Sequence, residues 1–310
     1  MAPTRSAATT RRAAAPAGPG AAVVCGAGLM GHGIAQVLAA AGHRVALYEP
    51  EIARAEAGRA RIAGNLERAV AKGRLAQADA AAQLARIRTS DSLSEASVGA
   101  SLAIEAVFED ADVKATLLAD LDAFLPARAI IGSNTSSISI TRLARAVSPA
   151  RRPRIVGTHF FSPVPVMPLL EMVMGAETSD ATARHVRAIA AATGKELIVS
   201  RDRPGFLVNR ILMPLLGEAM RAYEEGVGTA EDIDTGARLG LRHPMGPLEL
   251  ADFIGLDVCL HVMEVLHEGF GAPHMAPPPV LRQLVDAGYL GQKSGRGFYV
   301  YPRPAREPGR

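Results

Sequence analysis

The chain has 310 residues and is 48% hydrophobic, enough for two domains with sizeable cores. Its 34 basic and 31 acidic residues leave a net charge of +3, too even a balance to argue for a nucleic-acid partner. Two cysteines, Cys25 and Cys259, lie in apolar surroundings and read as buried thiols rather than a disulfide; no run of about 18 apolar residues marks a membrane span.

Residues 1–20 hold no acid, three arginines and many Ala, Ser and Thr. Arg11-Arg12 leads into no separate apolar segment, so an export signal is not expected. A disordered extension is expected, with a faint compositional likeness to an organelle transit peptide. From Ala21 to Cys25 an apolar run of strand length leads straight into Gly26-Ala27-Gly28-Leu29-Met30-Gly31, a G-x-G-x-x-G. Ile34, Val37 and Leu38 follow at helical spacing, Gly42 ends that helix, and Val45–Tyr48 is the next strand, with Glu49 directly after it. A glycine triplet alone is weak, but strand, turn, helix, strand and acid in this order form a dinucleotide site. Gly26 allows the tight turn, Gly28 lets backbone approach a pyrophosphate, and Gly31 permits close helix–strand packing. The free N–H groups of the helix start, around Leu29 and Met30, face the phosphates. Glu49 stands about 20 residues on, where an acid holds the adenine ribose hydroxyls and repels a 2′-phosphate. NAD is therefore expected rather than NADP.

Ile52–Arg88 is rich in Ala, Arg and Glu and reads as two helices joined near residues 76–79, long enough to project as a hairpin. Arg68, Lys72 and Arg74 near its tip are either a solvated helix face or a holder for the phosphates of a long anionic substrate. Short strands are expected over residues 86–89, 102–107 and 129–132, with a helix over 113–124. Glu109 and Lys114 fall at a strand's C-terminal end, the ligand edge of a parallel sheet. Ser133-Asn134-Thr135-Ser136-Ser137 offers short donors and acceptors toward the same crevice, or caps a helix over residues 138–147; both roles are compatible.

Ile155–Thr158 is a strand that delivers His159. Pro163, Pro165 and Pro168 stiffen the loop after it, and a second apolar run carries Glu171 back. A neutral imidazole beside a carboxylate is the arrangement that takes a proton near pH 7. About eight strands alternate with helices before residue 200, which predicts a doubly wound, mostly parallel sheet. Beyond Asp202-Arg203-Pro204-Gly205 the pattern is helical: Pro204 suits a first turn, Pro214 should kink its helix, and Thr229 with Asp232 resembles a capping box. The predicted division is an extension over 1–20, an NAD-binding Rossmann-type domain over 21–201, and an all-α domain over 202–310. Gly291–Gly297 is expected to pack back near the cofactor. The sequence shows no metal cluster.

GAGLMGHGIAQ, SNTSSISI, GTHFFSPVPVMPLLE, RPGFLVNRIL, HPMGPLELADFIGLD and GYLGQKSGRGFYVY follow one another in this order. Together they resemble the L-3-hydroxyacyl-CoA dehydrogenase family, most of all its short-chain 3-hydroxybutyryl-CoA members, over Ala21 to Tyr301. The resemblance implies reversible NAD-linked oxidation of a 3-hydroxyacyl-CoA to the 3-ketoacyl-CoA. It also implies a homodimer formed through the helical domain and, with no membrane span, a cytoplasmic location (organellar if the extension is a transit peptide). It places the catalytic base on His159, its orienting carboxylate on Glu171, and substrate contacts on Ser136 and Asn209. NAD contacts fall on the glycine loop, Glu49, Glu109, Lys114, Ser136, Ser162 (where the family often has asparagine) and Lys293. CoA contacts fall on Asn65 and Lys72. Two rival readings remain: a gulonate-type sugar-acid dehydrogenase, which would need no CoA-binding hairpin, and a non-catalytic NAD-binding module, which should have lost His159, Glu171 or Asn209.

Overall fold

A computed structural model describes residues 19–302; the expected disordered extension lies almost wholly outside the described residues. The first strand, β1 (Ala21–Cys25), turns through the glycine loop into α1 (Leu29–Ala40) and returns as β2 (Arg44–Tyr48). Two helices, α2 (Ile52–Ala71) and α3 (Gln77–Ala85), then precede β3 (Ile87–Ser90). The joint between them comes earlier than predicted, because Gly73 takes φ 65° just past the end of α2. Gly73 N–H donates to Val70 O at 2.8 Å and Arg74 N–H to Ala69 O at 2.9 Å, a Schellman closure. The hairpin does not stand clear of the domain. Ile62 and Leu66 are core residues, and Asn65 Nδ2 donates to Gln36 Oε1 of α1 at 3.1 Å.

The short helix α4 (Leu93–Ser97), capped by Ser92, was not expected; five residues are too few to show a period. After it come β4 (Ala100–Glu105), α5 (Ala111–Phe124), β5 (Ile130–Ser133), α6 (Ile140–Leu143), β6 (Ile155–Phe160), β7 (Leu169–Met174), α7 (Asp180–Ala192) and β8 (Glu196–Arg201). The cap of α6 is Ser139, not one of the five small residues before it. The strands form one sheet in the order β3-β2-β1-β4-β5-β6-β7-β8. The pairings from β3 through β6 are parallel, whereas β7 runs antiparallel to β6. Two apolar clusters, one on each face, bury this sheet. Between β1 and β4 the strand order reverses, and the crevice above the strand C-termini there is where ligands bind in such folds.

Helices make up the rest: α8 (Val208–Glu224), α9 (Ala230–Thr235), α10 (Pro247–Ile254), α11 (Leu256–Phe270) and α12 (Pro279–Asp286). They enclose their own core around Leu216, Met220, Leu248, Leu256 and Leu266. Pro214 sits inside α8, which runs on through it as a single helix. Pro204 does not open α8. Gly205 (φ 74°) and Phe206 (φ 52°) are left-handed, a conformation no α-helix start can include, so the helix waits for Val208. Thr229 does cap α9, accepting from Asp232 N–H. The glycine-rich tail packs on α10: Asp252 accepts from Phe298 N–H, Tyr299 N–H and Tyr301 OH, each at 3.0 Å.

Candidate active site

The glycine loop is built as its spacing requires. Gly26 has φ 99°, and a Cβ there would overlap Ala106 O. A Cβ on Gly31 would overlap Gly26 O. Gly28 differs, because a Cβ there would meet nothing within 4 Å. It heads α1 with no side chain capping the helix, so the first-turn N–H groups stay available to an anion. Leu29 is exposed beside it, and Met30 is tucked against the sheet core. Glu49, at the end of β2, accepts Ala27 N–H at 2.6 Å, which holds its carboxylate at the loop. Open backbone at Gly28 with an acid beside it fits a dinucleotide. Gly28→Val is expected to leave the Tm near wild type while raising the NAD dissociation constant at least tenfold, read by NADH fluorescence titration.

Beyond the loop lies a buried ionic chain. Glu105 and Lys114 are essentially without solvent access. Lys114 Nζ meets Glu105 Oε1 at 2.6 Å and Glu109 Oε2 at 3.2 Å. Glu105 Oε2 accepts Ser133 Oγ at 2.6 Å. Glu109 Oε1 accepts Thr135 Oγ1 (2.6 Å), Ser136 N–H (2.8 Å), Ser137 N–H (3.0 Å) and Ser137 Oγ (2.9 Å). Burial opposes the charge on Glu109, but Lys114 and these donors outweigh it and hold the carboxyl below the usual range. Lys114, expected at the cofactor, thus faces inward and braces Glu109, which in turn braces the Ser136 loop. Glu105 was not singled out from the sequence. The signal was a carboxylate within an apolar strand, which cannot be buried without a partner.

His159 lies on β6 and Glu171 on antiparallel β7, directly opposite in register. Nδ1 of His159 lies 3.0 Å from Glu171 Oε2, with the imidazole 5% exposed and the carboxylate fully buried. The second oxygen, Oε1, accepts Leu207 N–H at 2.6 Å. Burial would raise the Glu171 carboxyl, but the hydrogen bonds from His159 and Leu207 outweigh it and hold it below the usual range. An anionic Glu171 fixes the proton on Nδ1 and leaves Nε2 as the acceptor. Phe161 and Phe206 flank the imidazole at centroid distances of 4.5 and 5.9 Å. Asn209 Nδ2 donates to Ser136 O at 3.3 Å, which joins the helical domain to the Ser136 loop.

The proline loop after β6 is stapled from behind. Lys195 Nζ donates to Val164 O (2.8 Å) and Met167 O (2.7 Å), roles a sequence pattern does not reveal. Ser162 is exposed on this loop, Lys72 is exposed at the hairpin tip, and Asn65 faces α1. Lys293 pairs with Asp257 at 2.7 Å within the helical domain. Among the described residues, no group of three or more His, Cys, Asp or Glu side chains is placed to hold a metal ion.

Residues 21–203 match the family model for the 3-hydroxyacyl-CoA dehydrogenase NAD binding domain, and residues 205–301 match the 3-hydroxyacyl-CoA dehydrogenase C-terminal domain. The chain belongs to the 3-hydroxyacyl-CoA dehydrogenase family. It is similar to a probable 3-hydroxybutyryl-CoA dehydrogenase of Bacillus subtilis, 46% identical and covering 90% of this chain and 96% of the relative. It is likewise 46% identical to the 3-hydroxybutyryl-CoA dehydrogenase of Bradyrhizobium diazoefficiens, covering 91% and 97%. The crystal structure of the (S)-3-hydroxybutyryl-CoA dehydrogenase of Ralstonia eutropha superposes with a TM-score of 0.87 at 45% identity, covering 91% of this chain and 99% of that one. Like its family, this dehydrogenase carries an NAD-binding domain, here built around the open Gly28 turn.

Proposed function

We propose that the chain oxidises (S)-3-hydroxyacyl-CoA, with 3-hydroxybutyryl-CoA as its substrate, to the 3-oxoacyl-CoA, reversibly and with NAD. The observation that carries the reading is the buried His159–Glu171 pair, 3.0 Å apart. His159 Nε2 takes the proton of the C3 hydroxyl, and Glu171 stabilises the imidazolium as it forms. Ser136 and Asn209, already linked to each other, position the oxygen and the thioester. NAD, when bound, supplies the hydride acceptor, so no other redox partner is needed. Residues 21–201 hold the cofactor, with Glu49 on the ribose and Glu109, Lys114 and Ser162 as further contacts or braces; Lys293 of the helical domain adds a contact from the other side. Asn65 and Lys72 of the hairpin take the CoA. The helical domain, residues 202–310, dimerises. Ile211, Val227, Leu239 and Leu241 leave apolar surface there, which supports a partner copy. The reaction is assigned to the cytoplasm; among the described residues no helix is long and apolar enough to cross a membrane.

The test is NADH oxidation with acetoacetyl-CoA, free acetoacetate and gulonate's keto product side by side. Activity with the thioester alone is expected, because a basic hairpin tip has a phosphate-bearing handle to grip only in CoA. Comparable rates with the free acids would favour the sugar-acid reading.

A further inference from the structure

Glu171 has two oxygens, and only one serves the base. The other accepts Leu207 N–H at 2.6 Å, a donor that belongs to the link between the two domains. That link is unusually constrained. At its start Asp202 accepts Ser139 Oγ (2.7 Å), Ile140 N–H (3.0 Å) and Thr141 N–H (2.7 Å), which ties it to the start of α6. Gly205 then takes φ 74°, and its missing side chain leaves room for Leu266 and the Arg210 backbone. Phe206 takes φ 52°, a left-handed conformation that a bulky side chain seldom adopts. Backbone of this kind persists only where its surroundings over-determine it, and it gathers at functional sites. Here the ring of Phe206 is buried and meets the His159 imidazole edge-on at 5.9 Å, with an interplanar angle of 65°. The ring locks the link, and the locked link aims Leu207 N–H at Glu171.

We propose that this N–H, aimed by Phe206, sets the strength of the base by sharing the Glu171 carboxylate. The inference rests on His159 being the base. A hydrogen bond donated to a carboxylate stabilises its charge and weakens it as a partner for the imidazolium. Without that N–H, Glu171 is the stronger partner. Among the described residues, the pair's aromatic and hydrogen-bonding neighbours are these. From β7 there is Glu171 itself, from the loop Phe161, from the link Phe206, and from β8 the uncharged Ser200 hydroxyl. That hydroxyl lies beside the carboxylate without meeting strict hydrogen-bond geometry. Glu171 is thus the ionisable group among them. Leu207 and Phe206 act through it as positioning residues.

The decisive experiment replaces residue 207 by the α-hydroxy acid analogue of leucine. This exchanges the N–H for an ester oxygen and keeps the side chain. The acid limb of kcat/KM for alcohol oxidation is expected to move to higher pH by about one unit, the scale of one hydrogen bond to a charged group. NADH binding should stay within about twofold of wild type, since the glycine loop is untouched. Phe206→Gly, which frees the link, is expected to shift the limb in the same direction by less, and it serves if the ester protein does not fold. A purely structural role would lower activity or Tm with the limb unmoved. Folded variants with an unmoved limb, while His159→Gln stays impaired, overturn the proposal and leave the base assignment standing. Near-normal turnover by His159→Gln overturns both.

Discussion

Replacing His159 with glutamine is expected to lower kcat by about 10²–10⁴-fold, the usual contribution of a general base, while NAD binding survives. Glutamine fills a similar volume and can still offer a hydrogen bond to the C3 hydroxyl, so orientation is partly kept. It accepts no proton, so the alkoxide has to form unaided. None of the atoms that close round Gly26 or Gly31 belongs to His159. NADH titration by fluorescence should therefore give a dissociation constant close to wild type. Steady-state rates with acetoacetyl-CoA supply the other half of the measurement. Turnover within a few-fold of wild type would remove His159 from the reaction.

Glu171→Gln should cost nearly as much, for a reason the hydrogen bonds dictate. An amide has one oxygen and one NH2. Leu207 N–H, a backbone donor 2.6 Å away, needs an acceptor and will claim the oxygen. The NH2 is then turned toward His159 Nδ1, which accepts it only without its own proton. The ring's proton moves to Nε2, where the hydroxyl proton should have gone. Flipping the amide instead sets NH2 against the Leu207 donor. Either arrangement is wrong for catalysis, and the variant also has no charge to stabilise the imidazolium. We expect a drop in kcat approaching that of His159→Gln, with KM changed far less. Imidazole nitrogen shifts by NMR report the tautomer directly. A proton still resident on Nδ1 in this variant would contradict the account.

Much of this site is written in the chain. The Gly26–Gly31 spacing with Glu49 can be read because the turn needs particular residues at fixed offsets. His159 and Glu171 are visible because a short proline-rich stretch between two apolar runs has few ways to fold other than bringing its ends together. What stays hidden is whatever depends on backbone donors or on distant partners. Leu207 N–H carries no signature, since every residue but proline owns such a group. Lys195 reaches Val164 and Met167 across about thirty positions with no periodic cue. Lys114 illustrates a third limit: sequence places a charge near the crevice, but only the packing around Glu105 shows that it points inward. Pro204 misleads because its preference for first turns is outvoted by the left-handed pair after it.

The reversal of β7 has one more consequence. Because His159 and Glu171 face each other across a strand ladder, their separation is set by main-chain pairing rather than by the eight residues of loop between β6 and β7. The proton-handling pair is thus assembled before any ligand arrives.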